Sequence, residues 1–224
     1  MKNLFPVLVL IICAFSLCCC EKDDNNPLSV TDIDGNTYNV VIIGDQIWMA
    51  ENLKVTHYSK GDEIPFVEDG NDWITLTSGA YSRFRNDDSL VSVYGLHYNW
   101  HCVNDTRNIC PAGWHVPSNK EWRDMIFYLG GDSIAGGKIK ETGYEHWENN
   151  EAATNSSGFT MLPAGYRSHA NGASNSLGII GYCWTATELN DRIAFGYAVR
   201  YYGPWIYRKD LDKKMGCSVR CVKD

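Results

Sequence analysis

The chain is 224 residues long, 44% apolar, and carries a formal net charge of −7 at pH 7. An acidic chain is repelled by nucleic acid and by anionic membrane surfaces, and no basic run exceeds Lys213-Lys214, which argues against binding DNA or RNA. Its length suits one domain of moderate size or two small ones, and one is the simpler reading, because no low-complexity stretch, repeat or Pro/Gly/Ser-rich break divides it after Ser29.

The N-terminus reads as an export signal. Met1-Lys2-Asn3 is short and weakly basic, and Leu4 to Leu17 is apolar apart from Ser16. This run is too short to cross about 30 Å of hydrocarbon, which takes about 20 helical residues. It fits the apolar region of a secretory signal. Cys18, Cys19 and Cys20 follow, then Glu21-Lys22-Asp23-Asp24. The stretch resembles a bacterial lipoprotein lipobox centred on Cys20, with Leu17 three places and Cys19 one place before it. The resemblance implies a signal peptide at 1–19, a lipidated Cys20 with an acidic linker at 20–29, and a domain at 30–224. Acyl chains on Cys20 would hold the protein to membrane lipid, several anchoring far more firmly than one. Lys22, Asp23 and Asp24 resemble the tag by which some Gram-negative bacteria send lipoproteins to the outer face of the outer membrane. The expected location is therefore the cell surface.

Further on, Asp32 to Asp45 reads as a hairpin, with a turn at Asp34-Gly35-Asn36 and a strand from Tyr38 to Gly44. Asp32-Ile33-Asp34-Gly35-Asn36 superficially resembles a calcium loop. Its Gly comes two places early, however, and Ile43 stands where the loop needs Glu, so a turn is the better reading. Residues 57–92 are polar and irregular. A helix is predicted from Ser118, its N-cap, with Glu121 completing a capping box. Trp122, Met125, Ile126 and Leu129 form its apolar face, and Gly130-Gly131 stops it. A shorter helix is expected within Ser133 to Glu141. Strands are expected at 159–162, 182–187, 194–202 and 216–222.

Five cysteines lie beyond the signal: Cys102, Cys110, Cys183, Cys217 and Cys221. Export permits disulfides, and the odd count leaves at least one thiol unpaired or shared between chains. Neither the cysteines nor His101 and His115 show zinc-site spacing.

Several segments carry a wider resemblance. Asp32 to Tyr38 is followed by Gln46-Ile-Trp-Met-Ala-Glu-Asn-Leu53, Tyr94-Gly-Leu-His-Tyr-Asn-Trp100 and Ile109-Cys-Pro-Ala-Gly-Trp-His-Val-Pro-Ser118. Ser157-Gly-Phe159, Leu162-Pro-Ala-Gly-Tyr-Arg167, Trp184-Thr-Ala-Thr-Glu188 and Ser218-Val-Arg-Cys-Val222 complete the set. In this order, from about residue 31 to the C-terminus, they resemble the Fibrobacter succinogenes major paralogous domain family. That family consists mostly of surface lipoproteins. The resemblance implies an α+β, C-type-lectin-like fold of the branch that includes formylglycine-generating enzymes. Such a fold has a small twisted antiparallel sheet, two helices and long ordered loops. It also implies a disulfide between Cys110 and Cys221, clipping the start of the helical layer to the last strand. Cys183–Cys217 is the next pairing to expect, leaving Cys102 free.

The chemistry follows from what these residues can do. Calcium-dependent lectins of this fold use Glu-Pro-Asn or Gln-Pro-Asp with Trp-Asn-Asp, and neither pattern occurs, so no metal or other cofactor is expected. The related oxidases hold Cu(I) on two close cysteines before a terminal Arg-Cys. Here Cys217 precedes Arg220-Cys221, and Cys183 would have to supply the second thiolate. Ser168-His169 and Glu145-His146 are the only suggestive hydrolytic neighbours, without a nucleophile elbow or a zincin motif. No catalytic residue is assigned. Aromatic side chains stack on sugars and anchor interfaces, and they cluster late in the chain at Trp147, Trp184, Tyr201, Tyr202, Trp205 and Tyr207. Trp48, Trp100, Trp114, Trp122 and Trp184 are read as core, and Trp205, in a turn after Gly203-Pro204, as exposed. Trp205, Trp147 and Tyr207 are the candidate ligand-binding residues. Asp88-Ser89-Leu90 and Asp132-Ser133-Ile134 resemble a bacterial O-glycosylation acceptor. The expected function is a non-catalytic binding or adhesion module for a glycan or a surface protein. The alternative is a structural or accessory component of a surface complex, and an oxidase-like enzyme comes third.

Overall fold

Alternation of buried and exposed residues builds the first layer. In the computed structural model, which describes residues 29–224, β1 (Ser29–Thr31), β2 (Thr37–Ile43) and β3 (Gln46–Met49) form an antiparallel meander. The signal segment, Cys20 and the Lys22-Asp23-Asp24 tag lie outside the described residues. The expected single hairpin is thus two. At the first turn the Asp32 carboxylate accepts hydrogen bonds from the Asp34 and Asn36 N–H groups at 3.0 and 2.9 Å and from the Tyr38 hydroxyl at 2.6 Å. This is Asx-turn chemistry, and it occupies the oxygens that a calcium ion would need.

Short elements follow: α1 (Gly70–Thr75), β4 (Tyr81–Ser82), α2 (Val91–Tyr94), β5 (His97–Tyr98), α3 (Trp100–Val103) and β6 (Trp114–His115). The irregular stretch between 57 and 92 is therefore ordered. Trp73 of α1 is fully buried and donates its Nε1–H to the Lys214 carbonyl at 2.7 Å. The buried Arg167 guanidinium donates to the Val67 and Glu68 carbonyls at 2.6 and 2.8 Å.

The two longest remaining helices are α4 (Asn119–Tyr128) and α5 (Ala135–Ile139). The predicted capping box is present: Ser118 Oγ accepts from the Glu121 N–H, and the Glu121 carboxylate accepts from the Ser118 N–H. Gly130 and Gly131, at φ +101° and +92°, end α4 in a conformation that a β-carbon disfavours. Its apolar face inserts between the layers. Trp122 stacks on Tyr197 at 5.0 Å and meets Trp48 and Phe159 edge-on.

The chain then forms β7 (Tyr166–Arg167) and β8 (Ser174–Asn175), followed by three long strands, β9 (Ile180–Glu188), β10 (Ile193–Arg200) and β11 (Ile206–Asp212). These last three make an antiparallel sheet in the order β11-β10-β9. Finally β12 (Val222–Lys223) enters the first sheet, ordered β1-β2-β3-β12-β6, so both ends of the domain share one sheet. The fold is α+β, mostly strand, with short helices and ordered loops. Among the described residues, no helix is long and apolar enough to cross a membrane.

Cys110 and Cys221 form the expected disulfide, closing a separation of 111 residues. Cys102, Cys183 and Cys217 are free and buried, so the Cys183–Cys217 pairing is corrected. Cys183 bridges Ser218, and adjacent residues of an extended chain point to opposite faces. Cys217 therefore faces the cluster around Trp184, while Cys183 faces the one around Trp122. Two expected strands are also corrected. The Phe159–Leu162 segment makes only a single bridge, between Met161 and Lys140, because its carbonyls turn toward Arg220. The 216–222 segment is a series of isolated bridges before β12.

Two measurements test this closure. Cys110→Ala/Cys221→Ala should lose about 2–5 kcal/mol in urea denaturation, as expected for a long closed loop; unchanged stability would mean that the bridge contributes nothing. His115 bridges Asp224 at 2.5 Å and Glu121 at 2.8 Å. Burial pulls its pKa down, but bonds to the two carboxylates outweigh this and raise it. The folded state then holds the proton more tightly than the unfolded one, so the contribution is complete below the unfolded histidine pKa of about 6.5 and lost as pH rises through the higher folded value. The stability gap between the native chain and His115→Gln should shrink between about pH 6 and pH 8; a constant gap would contradict the bridge.

Candidate functional site

An open cleft of about 610 Å³ lies between α4 and the start of β11. The helix contributes Arg123, Ile126 and Phe127, the turn after it Gly131, Asp132 and Ser133, and the strand side Trp205 to Arg208. Tyr197 of β10 also lines it. Its hydroxyl donates to Asn119 Oδ1 at 2.9 Å, and its ring is held by the stack on Trp122. Burial pushes the Tyr197 phenol up to about 12, opposed by the charges of Arg123 and Arg208 and reinforced by Asp132. Three charges thus converge on this buried phenol.

The turn that carries Trp205 is held by close backbone approach. Gly203, at φ +71°, lies directly beneath the Trp205 ring. A β-carbon on Gly136 would come within 2.3 Å of the Trp205 carbonyl oxygen. The Gly137 N–H donates to the Pro204 carbonyl at 2.9 Å, and the Ile206 N–H to the Asp132 carbonyl at 3.0 Å. The glycines of α5 therefore seat the turn, and the Asp132 bond ties it to the end of α4.

The predicted aromatic residues separate. Trp205 is 44% exposed and lines the cleft. Tyr207 borders it, but strand alternation places its ring on the same face as Lys209, whose Nζ lies 5.1 Å from the ring centroid. Trp147 is corrected: it is 2% exposed, packed in the core beneath the buried Lys140 ammonium at 5.5 Å, and is not part of a surface site. Trp48, Trp100, Trp114, Trp122 and Trp184 are core, as expected.

Sequence reasoning missed Phe127, Arg123 and Arg208. Among the described residues, Phe127 is the most exposed large apolar side chain, at 84%. The available signal was its position off the apolar stripe of α4, where an amphipathic helix carries polar residues. Arg208 was missed with its strand, since Ile206-Tyr-Arg-Lys-Asp-Leu-Asp212 is too charged to stand out as β, although its ends, Ile206 and Leu211, are buried.

The hydrolytic neighbours do not come together. The Ser168 hydroxyl accepts from the Ala170 N–H, and the His146 ring contacts the Glu141 carboxylate at 2.9 Å. His169 lines a second cleft of about 570 Å³ with His101, Arg192, Asp212, Lys213 and Lys214. Its cations are already engaged. Arg192 pairs with Asp212, Lys213 with Glu188, and Lys214 donates to the Ile74 carbonyl. Burial, together with the Lys213 and Lys214 charges, lowers the His101 pKa.

A family model described as the Fibrobacter succinogenes major domain matches residues 41–223. No curated protein and no solved structure matches the chain.

Gly136→Ala should displace the Trp205 turn and cost about 1–3 kcal/mol through overpacking. It should also change tryptophan fluorescence in the folded state. A fully stable variant with an unchanged spectrum would show that the turn is not seated as described.

Proposed function

The chain belongs to the Fibrobacter succinogenes major domain family, and from that membership and the α4–β11 cleft we propose a lipid-anchored, non-catalytic binding module of the cell surface. The observation that carries this reading is a concave site with exposed aromatic rings and unengaged polar groups, mounted on a rigid, disulfide-closed scaffold. Open sites on fixed elements suit recognition of a glycan or a protein surface. The lipobox-like Cys20 and the Lys22-Asp23-Asp24 tag support anchoring to membrane lipid at the outer face of the outer membrane. A C-type-lectin-like fold is supported by the short helices, the long ordered loops, the shared sheet of the two chain ends, and the Cys110–Cys221 clip.

One observation favours the accessory-component reading. Phe127, Tyr128 and Ile134, all near the end of α4, are large apolar side chains left exposed, and exposed apolar surface serves protein partners. The oxidase-like reading has less behind it. Burial pushes the Cys183 thiol up to about 11 and that of Cys217 well above its ordinary value, and the two face different clusters.

The test is a glycan array probed with the full chain in detergent, with calcium and with EDTA. Saturable binding should survive EDTA, because the Asp32 carboxylate serves its own turn. Trp205→Ala should abolish the binding while costing about 1 kcal/mol or less of stability. Binding retained by Trp205→Ala would remove the cleft from the reading. A blank array with a partner recovered from native outer membrane would favour the accessory component.

A further inference from the structure

Arg123 and Arg208 differ from most arginines of this acidic chain. Arg83, Arg107 and Arg192 are ion-paired, Arg167 and Arg220 donate to backbone carbonyls, and Arg200 donates to the Tyr202 hydroxyl. Among the described residues, neither Arg123 nor Arg208 makes an ion pair or a side-chain hydrogen bond, although acids outnumber bases by 27 to 20. Arg85 is also unpaired, but it lies elsewhere, over the Phe84 ring. The other two line one cleft from opposite walls.

Both are positioned for use. Arg208 pairs across the ladder with Tyr197, so the two share a face, and its guanidinium lies 4.6 Å from the Phe195 ring centroid. That contact orients the planar group without consuming its donors. Arg123 stands one helical turn before Phe127 on α4. Asp132 and Ser133, both exposed, add an acceptor and a hydroxyl at the rim. Two guanidiniums against one carboxylate leave the cleft locally positive on a chain of net charge −7.

From this set we infer that the cleft recognises an acidic glycan, a sugar bearing a carboxylate or sulfate; the inference rests on the binding-module reading above. Guanidinium forks match planar anions bidentately. Phe127 and Trp205 offer apolar planes to the C–H face of a sugar ring, and Asp132 and Ser133 suit its hydroxyls. A volume of about 610 Å³ suits one or two sugar rings. An acidic peptide fits less well. It would add to the β11 edge, and the entry of that edge is occupied where the Ile206 N–H donates to the Asp132 carbonyl.

The experiment compares neutral, uronate-bearing, sialylated and sulfated glycans on one array, using the full chain in detergent, Arg123→Gln, Arg208→Gln and Trp205→Ala. Acidic glycans should bind, and each arginine variant should weaken them about tenfold, the scale of a lost charge-assisted bond. Binding should weaken with salt, and Trp205→Ala should abolish it. The uronate and sulfate arms separate the two sources of charge. Equal binding of neutral and acidic glycans, untouched by the arginine variants, would overturn this inference and leave the glycan-binding reading standing. Capture of acidic peptides alone, or no glycan binding at all, would overturn this inference, and the latter would also remove the glycan reading. Unaltered unfolding midpoints of the variants separate lost recognition from lost fold.

Discussion

The structure depends most on one buried charge near its C-terminal end. Arg220 is 1% exposed, and its guanidinium donates to Asn52 Oδ1, to the Phe159 carbonyl and to the Thr160 carbonyl at 2.8 Å. Burial lowers its pKa to about 10, still high enough to keep it protonated. A buried cation is tolerated only when its donors are met, and these acceptors come from two distant parts of the chain, Asn52 and the loop that holds Phe159 and Thr160. Asn52 is itself fixed by donating to the Tyr94 carbonyl at 3.0 Å. The 155–160 loop bends to meet the arginine: Thr160 takes φ +54°, and Asn155 holds it by accepting from its N–H and donating to its hydroxyl. One guanidinium thus joins the segment after β3, the loop before β7 and the segment that leads into β12. The neighbouring Cys221 adds the covalent clip to Cys110.

The cleft is a consequence of how the second sheet meets α4. The Trp122–Tyr197 stack fixes the distance between helix and sheet, and the edge contacts of Trp122 with Trp48 and Phe159 bind this stack to the first layer. A rigid helix beside an edge strand leaves a groove wherever no loop covers it. The Gly203-Pro204-Trp205 turn borders that groove without filling it, because Gly136 and Gly137 let its backbone sink onto α5. The exposed rings and free guanidiniums then sit on elements whose positions are set by core packing, which limits the ordering cost of binding.

Legibility in the sequence followed locality. The α4 helix, its capping box and its glycine stop were readable because caps and periodicity act within one turn. The Cys110–Cys221 bridge was readable only through family resemblance, since spacing alone leaves several pairings open. Trp147 was misjudged because its surroundings, Glu-His before it and Glu-Asn-Asn after it, are polar in sequence, while in space the ring packs under Lys140. The Cys183–Cys217 pairing failed on orientation, a property that depends on how Ser218 registers against β9. Of the cleft, Trp205 was legible from its turn. The convergence of Arg123 and Arg208 was not, because 85 positions separate them and only the β10–β11 register brings the second one to the helix.

Asp224 is linked through His115 to the start of the helix that forms one wall of the cleft. Asp224 contacts His115 Nδ1, His115 Nε2 contacts Glu121, and Glu121 completes the cap of α4 with Ser118. Burial would raise the Glu121 pKa, but bonds from the Ser118 N–H and hydroxyl and from His115 hold it below the usual range. The carboxylate therefore stays charged at the helix N-terminus, where it also favours the helix dipole. Closing the domain with β12 and starting the helix that carries Arg123 and Phe127 are thus parts of one hydrogen-bonded chain. A chain end that registers correctly beside β6 places Asp224 on His115. Through the cap, that same register sets where the helical wall of the cleft begins.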